Sequence, residues 1–120
     1  MDTNRNNELL TKLYSHYMVM KTYHFQTELS FRHTKVDEYL QGYLTNMDKL
    51  MEVIQGIEGT LSIKTVNVKV NTMNDDNISQ ELSKMIDLLE LERDRSSSVN
   101  AIIDEMQAEL QRLNYLFGFQ

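Results

Sequence analysis

The chain has 120 residues, which suits one core, so residues 1–120 read as a single domain. It has no cysteine, which excludes disulfides and thiolate metal sites, and its formal net charge of -6 without a Lys/Arg cluster argues against nucleic acid as the main partner. No apolar run nears the ~20 residues of a membrane span, and the polar start MDTNRNNELL lacks the layout of a signal peptide, so no membrane partner and a cytoplasmic location are the expectations.

Residues 7–27 read as a first helix, with Leu10, Leu13, Tyr17, Met20 and His24 on one stripe at three-four spacing. Residues 28–32 read as a connection. Ser30 is a candidate cap for a second helix over 33–56, and Gly56 and Gly59 are candidate stops. Residues 57–77 differ: Val66-Asn67-Val68-Lys69-Val70-Asn71 alternates with period two and reads as extended. One such strip has no strand partner, so it reads as a crossover long enough to run the length of a bundle. Asn77 or Ser79 opens a third helix to about residue 95, with Ile78, Leu82, Met85, Ile86 and Leu89 as its stripe. Ser96, Ser97 and Ser98 mark a turn and a cap. A fourth helix over 98–117 carries Val99, Ile102, Ile103, Met106, Leu110, Leu113 and Phe117. The expected class is all-α, a four-helix bundle with one long crossover between helices 2 and 3.

The second helix carries two i,i+4 pairs, His33 with Asp37 and Asp48 with Glu52. At about 100° per residue, all four fall within an arc of roughly 100°, beside or among Leu40, Leu44, Met47 and Met51. Asp37 and Asp48 are about 16 Å apart along the axis, too far to close one metal site. The two pairs share one midpoint near Gly42, however. An antiparallel copy related by a two-fold axis there would set His33 and Asp37 opposite the partner's acids, with glycine permitting close approach. Mixed imidazole and carboxylate ligands suit iron, manganese or zinc. The plain alternative is an exposed acidic face neutralised by Lys35 and Lys49, with His24 a satisfied core histidine.

These residues resemble the Dps-type miniferritins of the ferritin-like superfamily. The first helix, LYSHYMVMKTYHF, is similar to that family's first helix, with His24-Phe25 where the family has His-Trp. His33, Asp37, Asp48 and Glu52 match its second-helix spacing, and DEMQAELQRLNYLF is similar to its closing helix. The likeness covers about 8–56 and 96–117. It implies a ferritin-like four-helix bundle assembled through two-fold dimers into a hollow dodecamer. It further implies ferroxidase sites with His24, His33 and Asp37 from one chain and Asp48 and Glu52 from its partner. Fe(II) would be oxidised there by peroxide or oxygen and the iron stored or detoxified, with Zn or Mn as substitute ions; Glu38 matches a position associated with mineral growth. Departures are the nine-residue spacing of His24 and His33, about three short of the family's, Phe25 for Trp, and Val53 where an arginine usually follows the last acid. The alternative from another class is a catalytically silent structural or interaction protein of the same fold.

Overall fold

The computed structural model describes the backbone of residues 3–119 and the side chains of 4–119. It contains four helices: α1 Thr3–Gln26, α2 Ser30–Glu58, α3 Ile78–Glu90 and α4 Ser97–Phe117. No strand occurs among the described residues. The absence of proline leaves α2 free to run 29 residues without a break.

The helix boundaries depart from expectation for local reasons. α2 begins at Ser30 itself; Leu29 holds the cap position and supplies no side-chain bond. Its carbonyl instead accepts the His33 amide at 2.9 Å. Gly56 does not stop α2. The helix ends at Glu58 because Gly59 adopts φ 105°, a conformation open to glycine and costly for other residues. α3 stops at Glu90, five residues before the expected end, and residues 91–95 form turns. The Ser96 expectation holds, since its hydroxyl accepts the Val99 amide at 3.1 Å.

α1 packs on α2, α2 on α4, α4 on α3 and α3 on α1, which closes a ring. The diagonal pairs α1/α4 and α2/α3 have no close backbone approach and meet only through core side chains, as Tyr23 of α1 meets Phe117 of α4 with ring centroids 6.0 Å apart. The core joins Leu13, Met20 and Tyr23 of α1 to Val36, Leu50 and Ile54 of α2, and these to Leu82, Leu89, Ile103 and Leu110. Each removes a large apolar side chain from water, worth about 1.5–3 kcal/mol apiece.

The segment from Gly59 to Asn74 forms neither helix nor strand and lies along α1, and residues 75–77 turn into α3. The Leu61 amide bonds to Gln55 at 3.1 Å, the Ser15 hydroxyl to the Lys69 carbonyl at 3.1 Å, and the Tyr23 hydroxyl to the Asp75 carboxylate at 2.8 Å. Val66, Val68 and Val70 are half-buried, while Asn67, Lys69 and Asn71 are exposed. The period-two pattern therefore follows one face laid against a helix, with no neighbouring strand among the described residues.

Candidate functional site

The turn between α1 and α2 is only Thr27, Glu28 and Leu29. The Thr27 amide bonds the Tyr23 carbonyl at 2.8 Å, and the Thr27 hydroxyl accepts the Leu29 amide at 3.2 Å. This tight reversal sets His24, near the end of α1, beside His33, near the start of α2. The shortened spacing thus brings the two histidines together. His24 Nδ1 donates to the His33 carbonyl at 2.7 Å, and His33 Nδ1 donates to the His24 carbonyl at 2.7 Å. A carbonyl oxygen can only accept, so both Nδ1 atoms carry protons. In the neutral rings each Nε2 then keeps its lone pair, as a metal-ligating imidazole requires. The rings stack with centroids 3.9 Å apart and an interplanar angle of 16°. His24 is buried and His33 exposed.

Asp37 lies one turn beyond His33. Its carboxylate sits 3.9 Å from the Lys21 ammonium of α1, a loose and partly solvated pair. Glu38 is exposed and pairs with Lys35 at 3.3 Å, which gives it a local neutralising partner. Asp48 and Glu52 are exposed and border a shallow groove with Leu10, Tyr14, Met47, Met51, Gln55 and Leu61. Neither makes an ion pair among the described residues. Within one chain, no three acidic or histidine side chains among the described residues are grouped to hold an ion.

The predicted ligands therefore fall at two ends of one outer face. His24, His33 and Asp37 occupy the end near the α1–α2 turn, and Asp48 and Glu52 lie toward the other end of α2. Between them are Met18 of α1 and Leu44 of α2, 42% and 41% exposed, with Tyr14 at 36% beside the acids and Phe25 at 70% beside His24.

Gly42 does not have the expected role. At about 100° per residue it points near 180° from His33, away from the arc of the acids. A Cβ built on it meets nothing within 4 Å. The residues at the midpoint level of the acidic arc are Gln41 and Leu44.

His16 and Tyr39, neither of them a candidate from the sequence, belong to a buried polar chain that ends on Glu81. The signal available was His16 three residues after Leu13, on the stripe that also carries Met20. No helix among the described residues is long and apolar enough to cross a membrane. Comparison of the chain with known families, with curated proteins and with solved structures finds no match.

Proposed function

We propose that this chain is a ferritin-like, Dps-type protein that binds Fe(II) between two copies of itself and oxidises it with peroxide or oxygen. The observation that carries the reading is the pair of Nδ1-protonated, stacked imidazoles, set at one end of a face whose other end holds Asp48 and Glu52. A second copy laid head to tail over Met18 and Leu44 would bring each histidine pair to the other chain's acids. The Lys21 ammonium offers a positive charge to those carboxylates, so the two ends are complementary.

The ring of contacts supports the ferritin-like topology. α2 and α3 lie on a diagonal, and the 59–77 segment that joins them leaves α2 at Gln55 and then bonds α1 at Ser15 and Tyr23. A crossover that starts α3 at the end where α1 finishes would follow such a path.

Iron is the substrate here, and the chain supplies its setting. Nearly parallel rings cannot both aim in-plane lone pairs at one ion, so the two Nε2 atoms suit two neighbouring ions. Asp37, Asp48 and Glu52 add hard oxygen donors that favour Fe(III) over Fe(II). Two Fe(II) ions give one electron each to one peroxide, which takes up two protons and leaves as water. Glu38 would meet the Fe(III) that leaves the site.

The test uses subunit mixing. The double variants Asp48→Ala/Glu52→Ala and His24→Ala/His33→Ala should each fail to oxidise Fe(II). Co-refolded together they should recover part of the rate, because a hybrid dimer keeps one whole site. Inactivity of the hybrid, or full activity of either double variant, would overturn the shared site. One observation favours a silent relative: Lys21 already neutralises Asp37. For that protein, dimers would form and Fe(II) would stay unoxidised.

A further inference from the structure

Inside the bundle, away from the outer face, three helices contribute to one hydrogen-bonded chain. Glu81 of α3 bonds His16 Nδ1 at 2.7 Å, and His16 Nε2 bonds the Tyr39 hydroxyl at 2.7 Å. The three residues are 5%, 1% and 7% exposed. With Glu81 ionised, Nδ1 must donate to it, which leaves Nε2 to accept the phenol O–H. The carboxylate fixes that tautomer and would stabilise the ring if it gained a second proton.

The arrangement separates Tyr39 from the other buried tyrosines. The Tyr43 hydroxyl donates to the Leu13 carbonyl at 2.7 Å, and an amide oxygen cannot take up a proton at neutral pH. The Tyr23 hydroxyl donates to Asp75, but that carboxylate is held below its usual range, chiefly by the Thr27 hydroxyl, and is a poor base. Tyr23 also faces the Arg32 guanidinium at 3.3 Å, which disfavours loss of its electron. Only Tyr39, among these three, has an imidazole nitrogen lone pair at hydrogen-bond distance.

We propose that Tyr39 is an internal one-electron donor to small diffusible radical oxidants, with His16 as its proton acceptor and Glu81 as the positioning residue for His16. The oxidant takes one electron from the Tyr39 ring and becomes an anion. The Tyr39 O–H bond breaks as the proton moves along the existing bond to His16 Nε2, and the imidazolium is held by Glu81. A reductant of the ascorbate or thiol class later returns the electron, and Nε2 returns the proton. The electron can cross a body whose shortest extent is 20 Å, whereas the proton can move only one hydrogen-bond length, so the adjacent base is the requirement that Tyr39 meets. The proposal needs no iron, so it stands or falls apart from the reading above.

The probe is the azide radical, generated by pulse radiolysis with the intact protein, followed by electron paramagnetic resonance. Exposed Tyr14 and Tyr115 also oxidise, but their radicals meet in solution and decay quickly. A persistent tyrosyl signal is expected in the natural protein and in Tyr43→Phe. It should be lost in Tyr39→Phe and largely lost in His16→Gln, whose amide accepts a hydrogen bond without being a base. A persistent signal that survives Tyr39→Phe, is undiminished in folded His16→Gln, or never forms in the natural protein overturns the proposal. Circular dichroism checks folding. Should His16→Gln not fold, the natural protein in heavy water replaces it: slower formation of the persistent radical supports the coupled proton transfer, and an equal rate overturns it.

Discussion

His24 and His33 hold each other in place: each Nδ1 donates to the other residue's backbone carbonyl over 2.7 Å, across a turn of three residues. A bond in each direction fixes both ring orientations and both tautomers before any ion arrives. Metal-ligating histidines are commonly oriented in this way by a carbonyl on the nitrogen that does not bind. In nitrogen-detected NMR of the neutral rings, both should show a protonated Nδ1 and an unprotonated Nε2. The reverse tautomer in either would remove the pair as a preformed ligand set.

The outer face of α1 and α2 should be an interface. Leu44→Arg places a long charged side chain at its centre, where a two-fold contact would set it against its own copy. Light scattering after size exclusion should show an assembly for the natural chain and a 14.1 kDa monomer for the variant. A natural chain that elutes as a monomer at every concentration would end the interface reading.

Packing in the bundle should be costly to disturb. Leu50 and Ile54 are fully buried. Leu50→Ala should lower unfolding stability by about 2–5 kcal/mol, from lost transfer energy and the cavity left behind. Urea titration with an unchanged slope would read this directly, and a loss near zero would mean that α2 does not face the core there.

Gly59 should resist substitution despite being exposed. Its φ of 105° belongs to a region that side chains strain to enter. Gly59→Ala should cost about 1–3 kcal/mol, the range for a residue forced into such a conformation. An exposed alanine normally changes little, so a thermal melt separates backbone strain from surface chemistry.

Acid should release the 59–77 segment from α1. The Asp75 carboxyl is held below its ordinary 3.8, chiefly by the Thr27 hydroxyl; burial opposes this as the next-largest effect, and the Tyr23 hydroxyl and the Arg32 charge add to the lowering. A carboxyl with a depressed folded value contributes stability that is present above 3.8 and lost as pH falls through the lower folded value. Asp75→Asn should therefore flatten the acid limb of the stability curve in that window. Hydrogen exchange along 69–77 should rise first, and an acid limb identical in the variant would show that Asp75 contributes nothing.

Helix positions and their inward stripes were legible from residue spacing, because burial on a helix repeats every three to four residues whatever the helix packs against. The Ser96 cap and the helix-free segment between α2 and α3 were equally local. The end of α3 was not, since Leu91 is 74% exposed and Arg93 and Arg95 turn to pair with Glu90, Asp104 and Glu58 from three helices and with Glu92 of the turn itself. Spacing could also place His33, Asp37, Asp48 and Glu52 on one arc, but it misjudged Gly42, which shares their level along the axis and faces another way.

Some matters lie in the order of residues along single helices: four amphipathic segments, one long extended link, and acids and a histidine at repeating intervals. Others required the helices to meet. That His24 and His33 lock one another through a three-residue turn, and that His16 lies between Tyr39 and Glu81, are relations across 9, 23 and 65 positions. Periodicity reports which side of a helix faces inward. It does not report what stands opposite, because that depends on the depth and rotation at which separate helices pack.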